Sequence, residues 1–89
     1  MSEPRLHLLM EPAAQGDCRN VLAEGDTLVL ADQAVRLLVS NRAWPDGVTL
    51  AFLEADRQAR GLPPAEGFLA WSDNDLVAAV ADHPQVLSW

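Results

Sequence analysis

Residues 27–39 read Thr27-Leu28-Val29-Leu30-Ala31-Asp32-Gln33-Ala34-Val35-Arg36-Leu37-Leu38-Val39 and contain the change of pattern that decides the fold. The first four residues are a short apolar run, which is typical of a buried parallel strand. Val35, Leu38 and Val39 then recur at spacings of three and four, which predicts one face of an α-helix with Asp32 as its N-cap. A strand that leads directly into a helix is the repeating unit of α/β proteins.

The same alternation extends outward in both directions. Further strands are predicted at residues 6–10, 48–53 and 68–71, and the apolar tail 86–89 can add an edge strand. Further helices are predicted from about Cys18 to Glu24 with Asp17 as cap, from Asp56 to Arg60, and after Ser72 or Asp73. We therefore expect one domain, residues 1–89, of the α/β class: a small open parallel sheet of four to five strands with helices on both faces.

Composition excludes several classes of function. The chain has 89 residues, a net charge of −7 and no lysine, which rules out a P-loop and argues against stand-alone nucleic-acid binding. No leader or membrane span is recognised, and a single cysteine allows no internal disulfide, so we expect a cytoplasmic protein. Its apolar residues together with the five glycines make up about 55% of the chain, above the usual ~45–50%, which favours an interface with other protein chains; the alternative is an alanine-rich helical surface.

Cys18 is the candidate nucleophile. The first turn of a helix stabilises a thiolate, and Arg19 adds a nearby cation, so Cys18 could carry a persulfide. Asp17 opposes this because it is negative and competes for the same backbone N–H groups. The alternative is that Cys18 is an inert buried residue.

The other polar candidates have structural explanations beside functional ones. His7 lies among leucines and is interpreted as a satisfied core or strand-end histidine, and His83 as a ring that stabilises a helix C-terminus. The aspartates at strand-to-helix junctions are Asp17, Asp32, Asp56 and Asp73; they could bind Mg²⁺, but each is also a competent N-cap. We expect neither a resident cofactor nor a metal. Of the tryptophans, Trp71 is expected in the core, whereas Trp44 and Trp89 are harder to bury.

Five stretches together resemble the DsrH/TusB family of small sulfur-relay subunits. They are Leu6-His7; Cys18 followed by Glu24-Gly25-Asp26 and an apolar strand; Asn41-Arg42; Asp56-Arg57-Gln58-Ala59-Arg60-Gly61-Leu62; and His83-Pro84-Gln85-Val86-Leu87-Ser88-Trp89. The resemblance spans essentially the whole chain. It implies a DsrE-like fold and assembly with DsrF/TusC-like and DsrE/TusD-like partners into a hexamer with two copies of each.

The resemblance also implies a function. A TusBCD-like complex accepts persulfide sulfur from a TusA-like carrier and passes it to a TusE-like carrier for 2-thiolation of the tRNA wobble uridine. The principal sulfur-carrying cysteine then lies on the DsrE/TusD-like partner, and this chain is mainly structural. Two alternatives stay open: a DsrH-type subunit in sulfur oxidation with Cys18 as a persulfide carrier, and a small ligand- or metal-binding α/β domain.

Overall fold

The computed structural model describes residues 3–40 and 43–89, and within them the chain forms a five-stranded parallel sheet. The strands are β1 (Leu6–Leu9), β2 (Thr27–Leu30), β3 (Thr49–Leu53), β4 (Phe68–Trp71) and β5 (Val86–Ser88), in the order β4-β3-β2-β1-β5. The helices are α1 (Gln15–Val21), α2 (Glu54–Ala59) and α3 (Asp73–Asp82). Two 3-10 helices span Pro12–Ala14 and Asp32–Val39. The predicted α/β class and open parallel sheet are confirmed.

The strand order explains why the helices lie on both faces. From β1 to β4 each strand is added on the same side of its predecessor, whereas the β4–β5 connection returns to the other edge beside β1. Right-handed crossovers in opposite directions place their helices on opposite faces. The first core cluster accordingly includes Cys18 of α1 and four residues of the Asp32–Val39 helix, while the second is packed against Leu76 and Ala79 of α3.

The central strand β2 is buried on both faces. Leu28 and Leu30 belong to the first cluster and Val29 to the second, because successive strand side chains point to opposite sides. The register pairs Leu28 with His7 of β1 and with Leu50 of β3. The apolar run in residues 27–30 therefore forms the middle of both cores. Among the described residues, no helix is long and apolar enough to cross a membrane.

The segment after β2, predicted as an α-helix, is a 3-10 helix, and its buried residues therefore differ from those predicted. Ala34 and Leu37, and likewise Val35 and Leu38, are buried pairs three residues apart, which matches three residues per turn. Val39 was expected beside Val35, but it is 57% exposed. Four residues turn about 40° past a full circle in an α-helix but about 120° past it in a 3-10 helix, so Val39 points away from the core.

Three predicted caps, at Asp17, Asp32 and Asp56, were wrong. The helix expected at Cys18 begins earlier, at Gln15, so Asp17 lies within its first turn and makes no cap. Asp56 lies inside α2, and its carboxylate accepts the backbone N–H of Asp32 at 2.7 Å. Asp32 itself follows the N-cap residue Ala31 and has a positive φ of 51°.

Two predicted helix boundaries were right. Ser72 caps α3 in a capping box with Asp75, each side chain accepting the other residue's backbone N–H. Gly61 ends α2 with φ +63°, and the backbone N–H groups of Gly61 and Leu62 donate to the carbonyls of Gln58 and Arg57. This pair of bonds is a Schellman motif, which requires a left-handed residue at Gly61.

We expect Gly61→Ala to lower the free energy of unfolding by about 1 kcal/mol, because a Cβ disfavours the left-handed conformation. Gly16→Ala is the matched control: Gly16 lies within α1 with no atom near its would-be Cβ, and alanine there should stabilise by roughly 0.5–1 kcal/mol. Urea denaturation of both variants measures the two changes. Equal effects of the same sign would contradict the assignment of the helix end.

Candidate functional site

The carboxylate of Asp26, which lies directly before β2 and is 2% exposed, accepts hydrogen bonds from three different residues. Its Oδ1 accepts the backbone N–H of Arg5 at 3.0 Å. Its Oδ2 accepts the Ala23 backbone N–H at 3.1 Å, the Arg5 guanidinium at 3.2 Å and the His7 ring at 2.8 Å. One side chain thereby joins the starts of β1 and β2 to the segment that follows α1.

His7 extends this network to the last residue of the sequence. The indole Nε1–H of Trp89 can only donate, and it lies 3.2 Å from Nδ1 of His7, so Nδ1 is the acceptor. The ring proton of His7 consequently lies on Nε2, from which it is donated to Asp26. The two rings are nearly parallel, at 16°, with centroids 6.2 Å apart. The expectation of a satisfied buried histidine is confirmed, since His7 is fully buried and both of its nitrogens are bonded.

The backbone of Trp89 is also held in place. Its N–H donates to the Leu8 carbonyl at 2.9 Å, and its carbonyl accepts the N–H groups of Met10 at 3.0 Å and Glu11 at 3.3 Å. The tail 86–89 therefore docks on its own sheet: β5 pairs with β1, and Trp89 lies where the chain leaves β1. Ligands of open parallel sheets usually bind at such a reversal of strand order. Here Trp89 occupies this position.

The Asp26–His7–Trp89 chain has the connectivity of a hydrolase triad but not its chemistry. A triad needs a nucleophilic hydroxyl or thiol on the far side of the histidine, whereas the indole N–H of Trp89 is no nucleophile. His7 is also inaccessible to a substrate. The network can hold strands together, and it offers no accessible reacting group.

The environment of Asp26 sets its protonation. Burial alone would raise the pKa of Asp26, but hydrogen bonds from the Arg5 N–H, His7 and the Ala23 N–H, with the Arg5 charge, hold that pKa below its usual value. The ionised carboxylate is therefore the form that the fold stabilises.

The structure places Cys18 differently from the sequence prediction. Cys18 is the fourth residue of α1, is 0% exposed and belongs to the first core cluster. Burial raises the pKa of its thiol to about 11, only partly offset by the charge of Arg19. The shift is opposite to the lowered pKa that an activated thiolate requires. A persulfide-carrying role for Cys18 stays a prediction, and this conformation keeps its thiol protonated and covered.

Arg19, the expected cation beside Cys18, binds elsewhere. Its guanidinium carbon lies 3.6 Å from the ring centroid of Trp44, and its Nη1 donates to the Ala43 carbonyl. A cation over an indole face is a favourable contact. Arg19 therefore fastens α1 to the loop before β3, and Trp44 is partly buried against the first core.

The junction aspartates come together only in part. Asp56 bonds the backbone of Asp32, and the Asp32 carboxylate accepts Nη2 of Arg60 at 2.8 Å. In residues 3–40 and 43–89 no group of three or more potential metal ligands is present. Where Asp32 and Asp56 come together, the guanidinium of Arg60 therefore compensates negative charge.

The remaining candidates are explained locally. Nδ1 of His83 bonds the Ala79 carbonyl at 2.7 Å, as expected for a histidine at a helix C-terminus. Arg5 is a member of the network that the sequence analysis did not name, and Asp26 was named only within the stretch Glu24-Gly25-Asp26, with no role of its own. The sequence offers one signal for the burial of Asp26: a carboxylate that directly follows Gly25 and directly precedes an apolar strand.

No family model matches the chain, and no curated protein matches it either.

We expect Trp89→Phe to lower the free energy of unfolding by about 1–3 kcal/mol, because it leaves a buried acceptor on His7 without its donor. Trp71→Phe is the control, since it removes the same atoms from a half-buried tryptophan in the other core cluster. Urea denaturation compares the two variants. Equal losses would mean that ring volume, rather than the bond to His7, stabilises the tail.

The lowered pKa of Asp26 predicts a defined pH dependence. A depressed folded-state pKa stabilises the protein above the unfolded value, about 3.9, and that contribution is lost as pH falls through the folded value. The stability advantage of the wild type over Asp26→Asn should therefore be constant near neutral pH. It should shrink below about pH 4, with a slope of at most about 1.4 kcal/mol per pH unit. Urea unfolding from pH 7 to pH 2 tests this, and an advantage that does not change with pH would contradict it.

Proposed function

We propose that this chain is a subunit of a heterohexameric sulfurtransferase resembling TusBCD. The complex relays persulfide sulfur, from a TusA-like to a TusE-like carrier, for 2-thiolation of the tRNA wobble uridine in the cytoplasm. This subunit is mainly structural, and the principal sulfur-carrying cysteine lies on the DsrE/TusD-like partner.

The observation that carries the proposal is the convergence of the stretches on which the resemblance depends. Leu6-His7, Glu24-Gly25-Asp26 and the tail that ends in Trp89 lie far apart in the sequence, yet they supply His7, Asp26 and Trp89 to one buried network. A fourth stretch, residues 56–62, forms the Schellman motif and the contacts of Asp56 and Arg60 with Asp32. Asn41-Arg42 lies outside the described residues. The motifs thus behave as matched parts of one architecture.

Two further observations support a structural role within an assembly. The buried, protonated thiol of Cys18 favours placing the sulfur chemistry on another chain. Exposed apolar side chains, which favour contact with partner subunits, occur on several elements; the large ones are Met10, Val21, Val39, Leu69, Val77, Val80 and Val86. The acidic charge favours protein partners over direct contact with tRNA.

Co-expression with the DsrF/TusC-like and DsrE/TusD-like chains of the same genome tests the assembly. We expect one complex with two copies of each chain, measured by size exclusion with mass determination. Free monomer in the presence of both partners would overturn the proposal. Neighbouring genes for a dissimilatory sulfite reductase would instead assign the complex to sulfur oxidation.

The role of Cys18 is tested within the assembled complex. We expect Cys18→Ser to assemble normally and to retain 2-thiouridine formation, because the Cys18 thiol is buried and its pKa is raised to about 11. Retarded migration of thiolated tRNA in mercury-containing gels measures the product, and substitution of the partner's carrier cysteine is the control that should abolish it. Loss of thiolation in assembled Cys18→Ser would show that Cys18 carries sulfur.

A further inference from the structure

A groove of about 480 Å³ lies between α3 and the sheet face that α3 covers. Leu69 and Trp71 of β4 form part of its floor, and Ala78 of α3 forms part of its wall. Asp75 and Asp82 line the same wall. Leu69 is 54% exposed even though it points into the second core's side of the sheet, in register with Ala51. This side of the sheet is therefore incompletely covered.

The incomplete cover follows from the sequence of α3. Only Leu76 and Ala79 of this helix pack against the second cluster, and none of its residues is fully buried. Asp75, Ala78 and Asp82 recur at spacings of three and four, so they form a single stripe beside the contacting side of the helix. The stripe is apolar in the middle and acidic at both ends.

The charge of this region determines which occupant fits. Residues 61–89 contain four acidic side chains and neither Lys nor Arg. Among the described residues, no ion pair reaches Asp75 or Asp82. Two copies of this acidic surface would repel each other, and a nucleic acid would be repelled as well. A positively charged occupant is favoured.

We propose that this groove binds a helical segment of a basic partner protein. An apolar side chain of that segment packs on Leu69 and Trp71, and two Lys or Arg residues pair with Asp75 and Asp82. These aspartates are seven residues apart, about 10.5 Å along α3, so the two cations are also seven residues apart on a parallel or antiparallel helix. The inference does not depend on the proposed function, because the charge and shape of the groove alone define the occupant.

The test uses the full chain and a defined probe. The probe is a 15-residue amphipathic helical peptide with a leucine stripe and two arginines seven positions apart, and the control peptide carries glutamates at those two positions. Calorimetry measures affinity, and amide chemical shifts locate the binding surface. We expect the arginine peptide alone to bind, with shifts centred on β4 and α3.

Two variants identify the groove, and one is a matched control. Leu69→Ser should weaken binding of the arginine peptide about tenfold by removing the apolar floor. Asp82→Asn should weaken it about threefold and reduce its salt dependence. Val39→Ser should leave binding unchanged, because Val39 is 57% exposed but lies on the Asp32–Val39 helix, on the other side of the sheet.

The possible results separate clearly. Three results would each overturn the inference: equal binding of both peptides, no binding of either peptide, or equal affinity of the arginine peptide for the Leu69→Ser and Val39→Ser variants. If circular dichroism shows that Leu69→Ser does not fold, the effect of Asp82→Asn decides. None of these measurements includes the DsrE-like or DsrF-like chains. A negative peptide-binding result would therefore contradict the groove proposal without bearing on assembly of the hexamer.

Discussion

The carboxylate of Asp26 is the group on which the arrangement of the sheet depends. It accepts two donors from Arg5, one from Ala23 and one from His7, and through His7 it determines which nitrogen receives the indole N–H of Trp89. A buried carboxylate is tolerated only when its lone pairs are satisfied by such donors. Those donors come from separate parts of the chain, so one charge aligns β1, β2 and β5. The apolar residues of β2 fill both cores once the strands are aligned. Apolar packing alone would specify the alignment of the strands less uniquely.

The parts of the fold that the sequence predicts are those governed by local chemistry. Residues 27–30 are strand, Ser72 begins α3, Gly61 ends α2, and the tail adds an edge strand, and each follows from a pattern within a few residues. The 3-10 helix after β2 escapes such analysis because apolar residues at 34, 35, 37 and 38 fit either helical period. The buried side chains of this helix share the first core cluster with Leu30 and Phe52. Such tertiary contacts accompany the three-residue period, and a local sequence pattern does not reveal them.

The candidate site was harder to predict for a related reason. Cys18 was predicted correctly to lie on a helix, but that helix begins three residues earlier than predicted, and Cys18 is buried in the first core cluster. His7 and Trp89 are separated by 82 positions, and no property of either residue indicates the other. The sequence predicted a buried, satisfied His7 and left the docking of Trp89 open, whereas the contact between the two residues follows only from the topology.

The position of β5 has a consequence for how the chain reaches its structure. β1 precedes the other four strands in the sequence, but one of its two neighbours is formed by residues 86–88, so one edge of β1 stays unpaired until β5 is available. Contacts across such sequence separations slow folding, and an exposed strand edge invites pairing with other chains. Pairing with β5 covers that edge, and the three backbone bonds of Trp89 extend the contact beyond Ser88. In the folded chain the edge strand on this side is β5, which has only three residues, and so short an edge offers few backbone groups for pairing with other chains.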